Sequence, residues 1–538
     1  MADLKQRPDP ASPTGGDVRS RIDRPVFFVA ATLATAFVVY GAVEAASVDS
    51  GTTSILGWVT DSLSWLFVLS SGIFVAFSAF LALSRYGQIR LGADDSVPEF
   101  TTFSWVSMMF ATGMGIGLMF YGVAEPLTHL NTPPMGSGEA GSADTAQTAM
   151  EYTYFHWGVH PWSMYAVIGL TIAYFAYRKG SGNLISATLR PLIGDHASGP
   201  PGRAIDVLAI FATLFGSATS LGLGALQITG GLANVFDSGP YGNLAAAGVI
   251  AVLTACFVIS AVSGIDRGIK YLSNANAGAA ALLAFFLFVV GPTVFILGTF
   301  TDSIGGYITQ LPAMSFRTGV FEGAEWLNGW TIFYWAWWIS WTPFVGMFIA
   351  RISKGRTIRQ FVVCVIAIPS LVSFAWFAIL GGAAFDLQLN QGVDMPAALE
   401  GGIENALFVT LREYPLSTAT VALAVFLIAI FFITGADSAS IVMGMLSQRG
   451  DPEPHRVLVV FWGVATGAVA AVLLQAGGLL ALQRLVIIVA TPFLLVLLAM
   501  CVALMKALRE EPYESTLTPR MRRQLMREEA HSTRTDSR

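Results

Sequence analysis

The chain of 538 residues is 54% hydrophobic and only 12% charged, with a mean hydropathy of +0.62. Soluble globular chains carry about 25% charged residues, so this composition excludes a soluble protein and leaves no room for a separate soluble domain. The net charge of −5 says little about partners, and nucleic acid is not expected among them.

Crossing a bilayer core takes ~20 apolar residues, and twelve segments qualify: 26–46, 64–84, 102–123, 151–177, 205–234, 244–263, 274–298, 326–350, 360–383, 416–446, 456–477 and 483–508. The fold class predicted is an all-α polytopic membrane protein. A polar, Pro- and Gly-rich tail (1–24) precedes the transmembrane domain (25–508), and a charged tail (509–538) with Arg520, Arg522, Arg523 and Arg527 follows it. Of the 30 Lys and Arg residues, 27 fall in the tails or in the loops after even-numbered segments; Arg317, Arg412 and Arg484 are the exceptions. The positive-inside rule then puts both termini in the cytoplasm of a multi-pass cell (inner) membrane protein. The polar lead before 26–46 argues against a cleaved signal peptide. Cys256, Cys364 and Cys501 lie in apolar segments and read as small buried hydrophobes.

The third segment contains GMGIGLMFYGVAEP, with Gly113, Gly115 and Gly117 alternating. Each glycine costs a helix roughly 1 kcal/mol relative to alanine, and the i, i+2, i+4 spacing does not put all three on one packing face. An unwound backbone is predicted, which at membrane depth is tolerated where it lines a cavity. The fourth segment reads FHWGVHPWSMY. Trp157, Trp162 and Tyr165 span an arc of about 140° on a helix, and Pro161 is expected to kink it. His156 and His160 form an i, i+4 pair without an HExxH pattern, so they are read as polar contacts or near-surface groups and not as a metal site.

In the fifth segment Thr213, Ser217 and Ser220 share a face. Such a ladder can coordinate a small cation, or simply bond back to i−4 carbonyls. The eighth segment, WLNGWTIFYWAWWISW, holds six of the 13 tryptophans. Trp330, Tyr334, Trp337, Trp338 and Trp341 fall in one stripe about 100° wide. An interfacial belt sits at helix ends, whereas this stripe runs for three turns and suits a desolvated cation such as a quaternary ammonium. The tenth segment places Thr434, Asp437, Ser438 and Ser440 in an apolar span, and Asp437 reads equally as a cap or ion pair and as part of an ion path. Few ionisable groups are expected in the membrane core, and no nucleotide motif is present. An ion gradient is therefore the expected energy source, with carbonyls and hydroxyls suited to Na⁺. No nucleophile, base and orienter group supports an enzyme.

Together these residues resemble the betaine/carnitine/choline transporter family over roughly 26–508. The segment YWAWWISWTPFVGMFIARISKGRTIRQF (334–361) carries the resemblance most specifically, with GMGIGLMFYGVAEP and SGIDRGIKYLSNAN (263–276) beside it. The resemblance implies two inverted five-helix repeats, about 102–298 and 326–508, preceded by two extra helices. It also implies an amphipathic helix near 303–322, a homotrimer in lipid, and alternating access. It assigns substrate binding to Trp157, Trp162, Tyr165, Phe333, Trp337, Trp338 and Trp341, with the unwound backbone at Ala111, Thr112 and Gly113 facing the carboxylate. One sodium site would use Ala111, Met114, Phe431 and Thr434; a second would use Ser217 and Phe344, with Ser220 nearby. Gly435 stands where sodium-coupled betaine carriers often have Ser. Gly117 stands where proton-coupled choline carriers have Asp, and no Lys or Arg replaces sodium on the hydroxyl face of 205–234. The expectation is Na⁺-coupled symport of glycine betaine or a related zwitterionic or cationic solute, without a cofactor. The rivals are a proton-coupled choline carrier, a sodium-independent carnitine/betaine exchanger, and a channel or receptor.

Overall fold

The computed structural model describes residues 22–517 and 521, apart from 114, 237, 239–240, 264–265 and 322; residues 110–113, 263 and 266–274 are described in backbone only. The predicted tail through residue 21, Met114, and the basic cluster Arg520, Arg522, Arg523 and Arg527 lie outside the described residues.

The long helices are α1 (Arg24–Val43), α2 (Ala45–Leu83), α3 (Thr102–Gly113), α4 (Ile116–Asn131), α5 (Ala143–Trp157), α6 (Val159–Ala173), α7 (Pro200–Val235), α8 (Asn243–Ser263), α9 (Asp266–Val290), α10 (Thr293–Ser315), α11 (Phe333–Ile352), α12 (Ile358–Leu389), α13 (Ser417–Ser447) and α14 (Arg456–Arg509). Seven described helices are long and apolar enough to cross a membrane: α1, α2, α7, α8, α12, α13 and α14. The bent pair α9–α10 makes an eighth if it counts as one span. By this measure the chain is a multi-pass membrane protein.

The remaining apolar segments are interrupted, and local chemistry explains where. The predicted break in 102–123 falls between α3 and α4, where Gly115 is extended (φ −157°, ψ −149°). The segment 151–177 breaks at Gly158 (φ −102°, ψ −129°), not at Pro161 as expected. Pro161 sits in the first turn of α6, where its missing N–H leaves no helical bond unmade. A π turn over Asn328–Ile332 leads into α11. The predicted amphipathic helix begins earlier than 303: α10 follows Pro292 at 109° to the preceding helix. The predicted segments 456–477 and 483–508 are the two helical halves of α14, joined across a kink at the non-helical Gly477 and Gly478 (φ +63°).

Packing sorts the helices into two groups. In one, α11 packs on α6, α12 on α4 and α6, and α4 on α5. In the other, α7 is flanked by α13 and α14, with α2 and α8 against α14. In α7, 83% of the apolar window is buried, against 17% in α8, so α7 is central and α8 faces outward. That explains a correction among the cysteines: all three are free and Cys501 is buried, but Cys364 is half-buried and Cys256, on α8, is exposed. An apolar side chain on an outward membrane face needs no protein cover.

At one end of the bundle the residues after α14 dock by charge. Arg178 lies 2.6 Å from Glu511 and 2.9 Å from Asp94, and Lys179 lies 2.8 Å from Glu511. Tyr174 donates to Glu511 at 2.6 Å, and Ser515 to Asp94 at 2.9 Å. Burial alone would raise the Glu511 pKa, but the hydrogen bonds from Arg178, Lys179 and Tyr174 bring it down to about 2.

Candidate functional site

The helix breaks set the site. Gly115 caps the start of α4, and two residues on Gly117 lies between two indoles: a Cβ there would stand 2.8 Å from Trp337 and 2.9 Å from Trp157. Only a residue without a side chain lets α4 approach these rings so closely. The second break, at Gly158, follows Trp157 directly. The π turn before α11 shifts its helical phase at the start of the tryptophan stripe.

The rings so placed form a contiguous cluster. Trp337 and Trp338 stack at 5.1 Å, and Phe333 stacks on Trp337 at 5.6 Å. Trp157 meets Trp338 edge-on at 4.9 Å and Trp337 at 6.3 Å. Tyr165 meets Trp338 at 6.1 Å and Trp162 at 5.5 Å. Trp341, half-buried, meets Trp337 at 6.4 Å and Phe344 at 5.5 Å. All seven aromatic residues predicted from the sequence are thus joined by ring contacts. They touch one another in place of facing an open box, so no cation fits between Trp157 and Trp338 as they stand. A cation held by both faces, each within about 6 Å of it, requires these rings to part.

Sequence reasoning missed the groups that orient the cluster. Glu125 is fully buried; it accepts from the Trp157 indole at 2.7 Å and from the Tyr334 hydroxyl, and lies 2.7 Å from His156 Nδ1. The His156 carbonyl accepts from the Trp338 indole at 2.9 Å, and the other ring nitrogen of His156 meets Thr331 Oγ1 at 2.9 Å. Tyr121 contacts Trp157, Trp330, Phe333, Tyr334 and Trp337. The expectation of few ionisable groups in the interior is corrected here: Glu125, His129, His156 and His160 are all buried. The two histidines are not near-surface groups, since His160 stacks on Trp335 and meets Ser315 at 3.1 Å. The signal was present in the VAEP that closes the glycine motif, where an acid stands four residues after Tyr121.

The predicted ion-binding residues lie on the helices around the break. Thr434 donates to the Ile430 carbonyl at 2.9 Å, with the Phe431 carbonyl 3.4 Å away. Gly435 has open space where a Cβ would stand. On α7, Thr213 and Ser220 bond back to i−4 carbonyls, at 2.9 and 3.3 Å. Ser217 is buried, and no such bond is found for its hydroxyl among the described residues. Gly216 abuts Ser340 and Trp341, which sets Ser217 beside α11. The start of α4 is fixed by Trp376 donating to the Leu118 carbonyl at 3.0 Å and Gln227 to that of Met119 at 2.7 Å. Ala111, Thr112 and Gly113 are not unwound as expected: they form the last backbone turn of α3, and the extended residue is Gly115 beyond them.

Broken helices in an apolar bundle, with a buried aromatic cluster at the breaks, define a membrane transporter. Residues 25–513 match the family model described as BCCT, betaine/carnitine/choline family transporter. The glycine betaine transporter OpuD of Bacillus subtilis is 48% identical over 493 residues, covering 91% of this chain and 95% of the relative. The betaine/ectoine transporter LcoP of Corynebacterium glutamicum is 41% identical, covering 91% and 78%. The ectoine/hydroxyectoine transporter of Virgibacillus pantothenticus is 41% identical, covering 90% and 96%. The chain belongs to the betaine/carnitine/choline transporter family; it is a transporter and not an enzyme.

Proposed function

We propose that this chain carries glycine betaine into the cell by symport with Na⁺. The observation that carries the reading is the aromatic cluster of Trp157, Tyr165, Trp337 and Trp338 set against the helix break at Gly115. A zwitterion has two ends, and these two features answer them. Ring faces attract a desolvated trimethylammonium at ~2 kcal/mol each. The N-terminus of α4 presents unpaired N–H groups and a positive partial charge to a carboxylate. Glu125, one hydrogen bond behind Trp157, orients that ring from behind.

Sodium would be held by the backbone of Ala111, Met114 and Phe431 with Thr434, and by Ser217 near Phe344. The unbonded hydroxyl of Ser217 supports the second site. At the first, Gly435 leaves Thr434 as the only side-chain ligand. The architecture that fits is twelve spans, obtained by counting each interrupted segment once and dividing α14 at Gly477–Gly478. Two inverted five-helix repeats would follow two leading helices, both termini would be cytoplasmic, and the assembly would be a homotrimer. Relatives whose names include ectoine make that solute the first competitor to test, since its delocalised cation also suits ring faces. Uptake of labelled glycine betaine, ectoine, choline and carnitine into proteoliposomes, with and without a sodium gradient, tests the proposal. Betaine uptake that ignores sodium would refute the coupling, and preference for another solute would reassign the substrate.

A further inference from the structure

Glu125, His129 and His156 form a constellation whose ligand atoms the transport reading uses only in part, to orient the rings. Each offers one ligand atom, and these atoms lie within 4.8 Å of one another. All three side chains are fully buried. His129 Nε2 is 3.4 Å from Glu125 Oε1, and His156 Nδ1 is 2.7 Å from the same oxygen. Among the described residues neither ring nitrogen of His129 makes a well-formed hydrogen bond, the nearest approach being the 3.4 Å to Glu125. A buried polar group without a partner is rare and costly, so His129 is the observation that calls for a ligand. Sequence spacing could not show this group, because the carboxylate and one imidazole come from α4 and the other imidazole from α5.

We infer that Glu125 Oε1, His129 Nε2 and His156 Nδ1 form a binding site for a divalent transition-metal ion, zinc by its donor set. Two imidazoles and a carboxylate are a common zinc set, with metal–ligand distances near 2.0–2.2 Å. Tetrahedral ligands at that range stand about 3.3 Å apart. The His129–Glu125 pair already has that separation, and the His156–Glu125 pair must open by about half an ångström. The outer nitrogen of His156 meets Thr331 Oγ1 at 2.9 Å, the kind of outer partner that fixes a ligating imidazole. A fourth corner remains for water. Trp330 and Trp326 cover His129, with ring centroids 4.5 and 5.0 Å away. Both are half-buried; Trp330 lies within the π turn Asn328–Ile332 and Trp326 precedes it.

Occupancy reaches the aromatic cluster through the other oxygen of Glu125, which holds Trp157 and Tyr334. Bound zinc therefore slows transport, and this consequence alone rests on the proposed function. Binding itself is measured on the purified full-length protein with any affinity tag removed. Titration calorimetry with Zn²⁺ is expected to show one site per chain, weakened at least tenfold in His129→Gln and His129→Ala. Co²⁺ is expected to give the visible bands of a tetrahedral site in the wild type. X-ray absorption at the zinc edge is expected to count two imidazoles and a carboxylate. The absorption measurement needs no variant, so it decides the matter even if the substitutions fail to fold. Wild-type protein that takes up no metal, or gives no tetrahedral bands, overturns the proposal. So does binding unchanged in both variants, which would place the ion on surface histidines such as His196 or His455.

Discussion

The aromatic stripe of the eighth predicted segment has two halves that share one helix face and meet different chemistry. Trp337 and Trp338 meet other rings and a backbone carbonyl. One turn earlier, Trp330 and Tyr334 meet a buried carboxylate and imidazoles: Tyr334 bonds to Glu125 and stacks on His156 at 4.7 Å, and Trp330 packs on His129. Periodicity tells which residues look the same way; it does not tell what they look at. The first half has the makings of a cation surface, and the second is the scaffold that aims it.

The largest effect that would break this division is steric. Gly117→Leu is expected to abolish betaine uptake, because its first carbon would already crowd Trp337 and Trp157. Normal uptake by this variant would mean the rings are not the binding surface. Next, Trp338→Leu is expected to weaken betaine binding at least tenfold, about 1.4 kcal/mol, while lowering the melting temperature less than Glu125→Gln does. Glu125→Gln is expected to do both: weaken binding and lower the melting temperature, since the buried hydrogen bonds to Trp157, Tyr334 and His156 are disrupted. Equal behaviour of the two variants in thermal melts would erase the distinction between surface and scaffold.

A smaller effect is expected at the ion. Thr434→Ala is expected to raise the sodium concentration for half-maximal uptake severalfold. Gly435→Ser, for which there is open space, is expected to lower it. A sodium dependence unmoved by either change would remove Thr434 from the ion site. The smallest effect lies far from the rings. Glu511 has a depressed pKa, so the stability it contributes is present above the ordinary carboxylate pKa and is lost as pH falls toward about 2. Glu511→Gln is expected to lower the melting temperature by a few degrees at pH 7 and by less at pH 3. A constant difference between these pH values would show that its ion pairs to Arg178 and Lys179 do not set stability.

The legibility of the sequence followed the range of each interaction. The break at Gly115 was readable because three alternating glycines cannot share a packing face. The ring cluster was readable because Trp is rare and its spacing matched a helix. The break at Gly158 was misplaced to Pro161, because a proline in a first turn and a proline that kinks look alike in one dimension. Glu125 was passed over because its partners Trp157, His156 and Tyr334 come from distant parts of the chain. Cys256 was called buried because apolarity in a membrane segment does not distinguish a core from an outward face.

Sodium-driven betaine accumulation tests the central claim most directly. Purified protein in liposomes is given labelled glycine betaine under an inward Na⁺ gradient, and separately with K⁺ replacing Na⁺ on both sides. The account predicts accumulation above the outside concentration with the sodium gradient and none without it. Equal accumulation in both, or mere equilibration in the presence of the gradient, would contradict it.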